Sequence, residues 1–271
     1  MTISEWLQEA TKQLKDAGIP TSRLDAEIIL AHTIRKPKTY LHAHLNDTID
    51  PRRKDIANAR LELRLDRVPV AYITGHKEFY GRPFKVSPAT LIPRPESEDI
   101  IDTLLAASSS EITHKTLVDV GTGSGALAIT AKLERPHLSV IASDISPKAL
   151  SIAQFNAKAH NADIHFRKMS LLDTHAGPLD YILANLPYVD RSWSDLSPEL
   201  KYEPHEALFA DKQGLSLIFR LLPQAKRWLT DAGLLLLEAD PSQHDDIIKE
   251  AKISGLGYIQ TKGYCIAFQK S

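Results

Sequence analysis

Cysteine is almost absent from this 271-residue chain, in which the only copy is Cys265. A lone cysteine cannot form an internal disulfide, and no Cys/His group has the spacing of a zinc site, so a reducing compartment is expected. His32, His42 and His44 lie close in sequence, but no acidic or cysteine residue stands at ligand spacing beside them. We therefore predict that the chain holds no metal ion.

Long apolar runs and a strong net charge are also missing. The longest purely aliphatic run is Leu234–Leu237, far short of the ~20 residues that a membrane-spanning helix needs. The first residues mix charges into an amphipathic pattern and lack the apolar core of a secretory signal, so a cytoplasmic location is expected. The net charge of −1 argues against a protein that binds nucleic acid mainly by neutralising phosphates.

The charge that is present is unevenly distributed. Residues 1–95 carry 16 lysines and arginines against 11 aspartates and glutamates, whereas residues 96–271 carry 17 against 23. This split predicts separate roles for the two parts. The front part, residues 1–69, has the apolar spacing of helices. Three helices are expected there: one ending at Gly18-Ile-Pro20, one with Leu24, Ile28 and Ala31 on its apolar face, and one beginning at Asp50-Pro51 with Ile56, Ala59 and Leu63 on its apolar face.

The pattern changes after residue 70. Residues 70–94 favour a β-hairpin linker because their apolar positions approach a period of two. In residues 95–271, short aliphatic runs alternate with helical stretches, which indicates βαβ units and a doubly wound, mostly parallel sheet. The last two strands, over 258–261 and 265–269, are separated by too few residues for a crossover helix and are expected to pair antiparallel.

A glycine-rich turn is the first feature with chemical content. The run from Leu117 leads into Gly121, Thr122, Gly123, Ser124 and Gly125 and then into a predicted helix. Backbone N–H groups and close approach at such a turn suit an adenosine-containing ligand. Asp144 ends the next predicted strand, about twenty residues further on, where its carboxylate can accept both ribose hydroxyls. NAD and S-adenosylmethionine would use this arrangement equally well.

The sequence Asn185-Leu186-Pro187-Tyr188 decides between these ligands. It directly follows the apolar strand over 181–184, and ligands bind at the carboxyl ends of strands in doubly wound sheets. Asn185 offers an amide oxygen, Leu186 a backbone carbonyl and Tyr188 an aromatic face. Two acceptors and a stacking wall can hold a planar NH₂ group, as methyl transfer to an amide or adenine nitrogen requires.

These motifs occur together with several others in a fixed order. They are Pro69-Val-Ala-Tyr-Ile-Thr-Gly75, Lys77-Glu-Phe-Tyr-Gly81, Leu91-Ile-Pro-Arg-Pro-Glu-Ser-Glu98, Asp119-x-Gly-Thr-Gly-Ser-Gly125, Asp144-Ile-Ser146, Asn185-x-Pro-Tyr188 and Tyr202-Glu-Pro204. Over essentially its whole length, the sequence resembles the HemK/PrmC family, methyltransferases that modify the glutamine of the Gly-Gly-Gln motif in class 1 peptide chain release factors.

The resemblance implies a fold, a cofactor and partners. The fold is that of class I S-adenosylmethionine-dependent methyltransferases, with a small helical domain over 1–69 that recognises the release factor, a linker over 70–94 and a catalytic domain over 95–271. The implied cofactor is S-adenosyl-L-methionine, and no membrane or nucleic-acid partner is expected.

The resemblance also implies roles for particular residues. The cofactor would lie over the glycine turn, with Asp144 on its ribose, Leu171 near its adenine and Asn185 near its methyl group. Asn185, Leu186, Pro187 and Tyr188 would hold the target amide as catalytic and substrate-binding residues. Residues that would shape the glutamine pocket are Arg94, Glu96, Glu98 and Glu203.

The chain departs from the family pattern in three places. Leu186 stands where the family has proline, Ser97 where it usually has threonine, and Ala239-Asp-Pro241 where it has a glycine-containing stretch. Three other functions therefore stay open: a nucleic-acid adenine methyltransferase acting on a flipped base, a methyltransferase for a glutamine of a ribosomal protein, and a non-catalytic module that binds S-adenosylmethionine.

Overall fold

The computed structural model describes residues 1–108, 114–194 and 196–270, and divides them into two compact units. One unit contains Met1–His76 and Ser197–Tyr202, and the other contains Lys77–Leu196 and Glu203–Ser271, as far as these residues are described. No helix within the described ranges is long and apolar enough to cross a membrane.

The first unit is helical. Its helices are α1 Ile3–Asp16, α2 Ser22–Ile34, α3 Lys38–Ala43, α4 Pro51–Leu65 and α5 Val70–Thr74. Helix α1 begins with a capping box, in which the Thr2 hydroxyl accepts from the Glu5 N–H and the Glu5 carboxylate accepts from the Thr2 N–H. Trp6, Leu7 and Leu14 of α1 pack against Ile29 and Leu30 of α2 in one apolar cluster.

The predicted apolar face of α4 was wrong, and that of α2 was correct for Ala31 but not for Leu24. Leu24 and Leu63 are 44% and 45% exposed, whereas Ile29 and Leu61 are buried. Apolar residues occur on more than one side of both helices, so spacing alone does not select the side that packs. Helix α4 also buries Arg64 on its inner face, where the guanidinium pairs with Asp25 at 2.7 Å.

The linker prediction was correct only in part. Val70–Thr74 is a helical turn rather than an extended segment, and the hairpin is limited to β1 His76–Phe79 and β2 Arg82–Lys85. Tyr80 and Gly81 connect the strands, both with positive φ, as tight hairpin turns require. Phe79 and Phe84 of this hairpin are fully buried in the core of the second unit.

The second unit contains a seven-stranded sheet in the order β5-β4-β3-β6-β7-β9-β8. Its strands are β3 Thr116–Val120, β4 Ser139–Asp144, β5 His165–Lys168, β6 Leu179–Ala184, β7 Leu229–Glu238, β8 Leu256–Lys262 and β9 Cys265–Lys270. Strands β3 to β7 pair parallel, and β9 pairs antiparallel with both β7 and β8. The predicted mostly parallel sheet with an antiparallel terminal hairpin is confirmed.

Helices cover both faces of this sheet. They are α6 Glu98–Ala107, α7 Ala126–Glu134, α8 Pro147–Ala159, α9 His205–Leu208, α10 Ser216–Trp228 and α11 His244–Ile253. Successive residues of β3 enter different clusters, Leu117 with α6 and α7, and Val118 with α10 and α11. Because both faces are buried, the inner strands are near-continuous apolar runs. Each parallel strand delivers its carboxyl end to the same edge, where the candidate site lies.

Candidate active site

The glycine turn connects β3 to α7 at the carboxyl edge of the sheet. Gly125 has φ +84°, and a Cβ there would lie 2.9 Å from Ile129 Cδ1 and 3.1 Å from Ala153 Cβ. Only glycine combines this left-handed backbone with such close packing of α7 on α8. The turn therefore fixes where α7 begins.

Several backbone N–H groups of the turn already have partners within the protein, contrary to the expectation that they face a ligand. Gly121 and Thr122 both donate to the Ser143 carbonyl, at 2.9 and 2.8 Å. Gly123 N–H donates to Asp144 Oδ2 at 2.9 Å. These hydrogen bonds hold the turn against the end of β4. The turn can therefore contribute to ligand binding mainly by letting a ligand lie close to its backbone.

Asp144 is held in place by backbone donors. Its Oδ2 accepts from Gly123 and its Oδ1 from Ser146, the latter at 2.8 Å. Burial raises the pKa of Asp144, the backbone donors oppose this rise, and Glu206 adds to it. A carboxylate has about four lone-pair sites, so Asp144 can accept from hydroxyl donors in addition to these backbone groups.

Asn185 begins the loop after β6 and is fixed by a residue far away in sequence. Its Nδ2 donates to Ser97 Oγ at 2.9 Å. Ser97 ends the 3₁₀ turn Pro95–Ser97 before α6 and is buried. Because the amide nitrogen is committed to Ser97, the amide oxygen is the atom left for another partner. The predicted role of Asn185 as an acceptor agrees with this orientation.

Tyr188 is anchored by a buried acid. Its hydroxyl donates to Glu238 Oε1 at 3.0 Å, and burial together with the Glu238 charge raises the pKa of Tyr188. Its carbonyl accepts from Gln243 Nε2 at 2.8 Å, and a Cβ at Gly214 would collide with that carbonyl. Both ends of Tyr188 are therefore held.

A cavity of about 280 Å³ lies at this edge of the sheet. It is lined by Gly121, Thr122, Gly123 and Ser124 of the turn, by Asp144 and Leu171, and by Ser97, Asn185, Leu186 and Pro187. The Leu186 side chain is buried and lies over the turn, since a Cβ at Gly121 would be 3.2 Å from its Cδ2. Leu171 is three residues beyond the end of β5 with φ +48°, a strained value for leucine.

Several predicted site residues lie away from the cavity lining among the described residues: Gly125, Arg94, Glu96, Glu98, Tyr188 and Glu203. Arg94 pairs with the buried Glu203 at 2.5 Å, and Glu203 also accepts from the Ile92 N–H at 3.0 Å. Glu98 accepts from the Tyr80 N–H at 2.8 Å, so it faces the hairpin turn. The structure thus gives Arg94, Glu98 and Glu203 partners within the protein.

Sequence reasoning missed two buried acids beside the site. Asp119 accepts from the Thr122 hydroxyl at 2.6 Å, and burial raises its pKa to about 7. Glu238 is 1% exposed, and burial raises its pKa as well. Both acids stand near the ends of apolar strands, where an isolated carboxylate is costly, and that placement was the available signal.

Comparisons with known families identify relatives of this chain. Residues 5–75 match the model of the PrmC N-terminal domain, and residues 97–199 match that of the methyltransferase small domain. A release factor glutamine methyltransferase of Koribacter versatilis is 40% identical over 254 residues, which cover 91% of this chain and 89% of that protein. The chain belongs to the release factor glutamine methyltransferase family. The enzyme of that name from Escherichia coli is 34% identical to this methyltransferase, over 96% of this chain and 94% of the other.

Solved structures show the same fold in more distant proteins. A methyltransferase from Pyrococcus furiosus superposes on this methyltransferase with a TM-score of 0.55 at 18% identity, over 79% of this chain and 98% of the other. A 16S rRNA methyltransferase from Thermus thermophilus, solved with AdoMet and guanosine, has a TM-score of 0.52 at 14% identity and covers 72% of this chain and 49% of the other. The predicted family and methyltransferase fold are confirmed. Among the described residues there is no group of three or more potential metal ligands.

Proposed function

We propose that this methyltransferase acts in the cytoplasm and transfers a methyl group from S-adenosyl-L-methionine to the side-chain amide nitrogen of the glutamine in the Gly-Gly-Gln motif of class 1 release factors. The proposal is based on one observation: Asn185, Leu186, Asp144 and the glycine turn all line the same cavity.

The residues around the cavity fit the cofactor. The Asp144 carboxylate lines the cavity and can accept hydrogen bonds from the ribose hydroxyls. Leu171 and Met169 supply an apolar wall for a planar ring, and the turn permits close approach at Gly121 and Gly123. S-adenosylmethionine, when bound, supplies an electrophilic methyl group on a sulfonium.

Asn185 and Leu186 are proposed to prepare the glutamine for attack. An amide nitrogen is a poor nucleophile because its lone pair is delocalised. The Asn185 side-chain oxygen and the Leu186 carbonyl would each accept one hydrogen of the glutamine NH₂ group, which aligns the nitrogen and stabilises positive charge that grows on it. Tyr188 would supply the wall beside that group. The N-methylated amide loses a proton readily, so no dedicated general base is required.

The predicted glutamine-pocket residues are proposed to act mainly by shaping the site. Arg94 and Glu203 hold residues 92–94 next to the turn that carries Ser97. Glu98 holds the hairpin at Tyr80. Glu96 is exposed and raises the pKa of Glu238, so it adds negative charge beside the loop.

A transfer assay tests the proposal. Purified protein is incubated with S-adenosylmethionine labelled in the methyl group and with intact release factor, with the same factor carrying alanine for the motif glutamine, or with ribosomal RNA. We expect label in the first reaction alone, on the glutamine by peptide mass analysis. Label in the RNA, or in the alanine-substituted factor to the same extent, would contradict the proposed substrate.

The helical unit offers a surface for the release factor. A depression on it is lined by His32, Arg35, Lys36, Arg53 and Arg60 without any carboxylate among the lining residues. Arg53 and Arg60 are both tied to Thr33, at 3.0 Å to its carbonyl and 2.8 Å to its hydroxyl. Desolvation and the charge of Arg53 lower the pKa of Arg60. Such unneutralised cations favour an acidic partner segment.

Charge reversal tests this surface. Arg60→Glu is expected to raise KM for intact release factor roughly tenfold while leaving KM for a short Gly-Gly-Gln peptide unchanged, because the peptide lacks the acidic surface that the depression is proposed to bind. Arg52→Glu is the matched control, since Arg52 is exposed on the same helix outside the depression. If both variants raised KM for intact release factor equally, the cause would be the overall charge of the protein, and the result would contradict the proposed binding surface.

A further inference from the structure

Four polar side chains form a partly buried cluster at the wall of the cavity, which we call the Glu238 cluster: Ser97, Asn185, Tyr188 and Glu238. Asn185 Nδ2 donates to Ser97 Oγ at 2.9 Å, and the Tyr188 hydroxyl donates to Glu238 Oε1 at 3.0 Å. Glu238 Oε2 is buried without a hydrogen-bond partner among the described residues. The cluster joins the loop after β6 to the end of β7 and the start of α6.

The Ser97 side chain does not make the hydrogen bond that is usual for a serine at its position. It stands at the N-cap of α6, where serine side chains normally accept from a backbone N–H of the first turn. Here the Ser97 side chain makes no capping hydrogen bond. Its hydroxyl accepts from Asn185 instead, so the helix forgoes a stabilising interaction in favour of one with the loop.

Glu238 determines which way the neighbouring groups point. An ionised carboxylate accepts hydrogen bonds and donates none. Desolvation raises the pKa of Glu238, and the side chains of Ser97, Tyr188 and Asn185 oppose this rise without cancelling it. The ionised acid is therefore stabilised only when these neighbours turn their hydrogens toward it. For Asn185, that requirement places the NH₂ group on the side of Ser97 and Glu238.

The orientation of an asparagine amide decides what it offers a substrate. With its NH₂ group facing inward, Asn185 presents its oxygen to the cavity that it lines. The flipped amide would present a second NH₂ group to the NH₂ group of the target glutamine, and two donors cannot pair. An unconstrained amide would sample both orientations and spend part of its time in an unproductive one.

We propose that Ser97 and Glu238 are positioning residues that lock the Asn185 amide with its oxygen toward the target nitrogen. This inference rests on the proposed function, because it assigns Asn185 the role of acceptor. Neither residue needs to touch the substrate, since each acts through the loop that it holds.

Substitutions at Ser97 distinguish the effect of its hydroxyl group from the effect of its side-chain size. Ser97→Ala is expected to lower kcat at least ~tenfold with the Kd for S-adenosylmethionine within about twofold of the wild-type value. Ser97→Thr keeps the hydroxyl and should stay within about threefold of wild type, whereas Ser97→Val should match the alanine variant. Thr103→Val is the control, because this buried hydroxyl on α6 donates to the Asp99 carbonyl. Glu238→Gln is expected to lower kcat in the same way as Ser97→Ala.

An NMR measurement tests the lock without a release factor. In wild-type protein labelled with ¹⁵N-asparagine, the Asn185 side-chain NH₂ signals, assigned through Asn185→Ala, should be protected from solvent exchange. That protection should be lost in Ser97→Ala and retained in Ser97→Thr. An unprotected NH₂ group in the wild type, or wild-type kcat in a folded Ser97→Ala, would overturn the inference. If the lock is present but no glutamine is methylated, the proposed function fails and the positioning role does not.

Discussion

Asp144 is set in place by the backbone before any ligand binds, so its removal should affect cofactor affinity and local order together. Asp144→Ala removes the proposed acceptor for the ribose hydroxyls of the cofactor and the observed acceptor for the N–H groups of Gly123 and Ser146. We expect weaker S-adenosylmethionine binding by ~1.5–3 kcal/mol, the range for hydrogen bonds to a charged group. Calorimetry measures the affinity, and an unchanged Kd in the folded variant would remove Asp144 from the cofactor site.

Asn185 and Leu186 are adjacent but contribute different atoms, so their substitutions should differ greatly. Asn185→Ala deletes a side-chain acceptor and should lower kcat roughly a hundredfold or more. Leu186→Pro keeps the backbone carbonyl, and the residue before Pro187 is already biased toward an extended conformation. Its kcat/KM should change less than about tenfold, which is under ~1.4 kcal/mol.

Steady-state kinetics with release factor decides between these expectations. Loss of the buried Leu186 side chain over Gly121 is expected to lower the melting temperature more than the rate. A collapse of kcat/KM in Leu186→Pro, with Asn185→Ala still active, would show that this loop does not hold the target amide through these two acceptors.

The sequence predicted the residues of the site better than their contacts. Motif spacing brought Asp144, the glycine turn and Asn185 to one edge because parallel strands share that edge. It did not predict that N–H groups of the turn donate to the Ser143 carbonyl and the Asp144 carboxylate. It also did not predict the hydrogen bond between Ser97 and Asn185, which are 88 residues apart in sequence. Such contacts depend on how loops from different strands meet, and local pattern carries no information about this.

Asn156 joins three elements of the second unit from one position on α8. Its Oδ1 accepts from the Lys85 N–H at 2.8 Å, and its Nδ2 donates to the carbonyls of Lys85 and Ser124 at 3.0 and 2.8 Å. It thereby ties the hairpin strand β2 and the glycine turn to α8. Because Asn156 is buried, Asn156→Ala leaves these backbone groups unpaired and should lower the free energy of unfolding by about 2–4 kcal/mol.

Gln154 provides the matched control for Asn156. It is exposed on the same helix, so Gln154→Ala should change stability by less than about 0.5 kcal/mol. Urea denaturation measures both variants. Similar losses in the two would mean that α8 is sensitive to any alanine substitution and that the three hydrogen bonds contribute little.

Clear periodicity made the strands and helices of the second unit predictable. Short helices, and the packed faces of helices with apolar residues on more than one side, could not be predicted in this way. The alternation of aliphatic runs with helical stretches predicted a doubly wound, mostly parallel sheet, which the structure contains. The six-residue helix Lys38–Ala43 was not predicted, and Val70–Thr74 was taken as extended. A single helical turn shows too few apolar positions to distinguish a period of two from one of 3.6.

The pH dependence of the whole protein's stability should contain a contribution from Asp119. Burial raises the pKa of this carboxyl from 3.8 to about 7, with a smaller contribution from Asp144. Between these values the folded protein binds a proton that the unfolded chain has lost, so stability falls as pH rises. The contribution of Asp119 to the free energy of unfolding should decrease by an amount on the order of 4 kcal/mol between pH 4 and pH 8.

Asp119→Asn isolates that contribution because asparagine does not titrate. The difference in unfolding free energy between variant and wild type, measured with urea at pH 5 and pH 8, should shift in favour of the variant at the higher pH. Carboxyls with a lowered pKa, such as Asp102 and Glu199, lose stability in acid and cancel in the comparison. Parallel stability curves would show that Asp119 is ionised in the folded protein throughout this range.

The helical unit contains a short piece of much later sequence, Ser197–Tyr202. Within it, Glu199 lies 3.0 Å from the buried guanidinium of Arg64, and Tyr202 donates to the Asp66 carbonyl at 2.6 Å. A ribosome delivers the first 76 residues long before these six. The nascent helical unit must therefore wait with Arg64 paired to Asp25 alone until more than a hundred further residues have been translated, when Glu199 and Tyr202 can complete the unit.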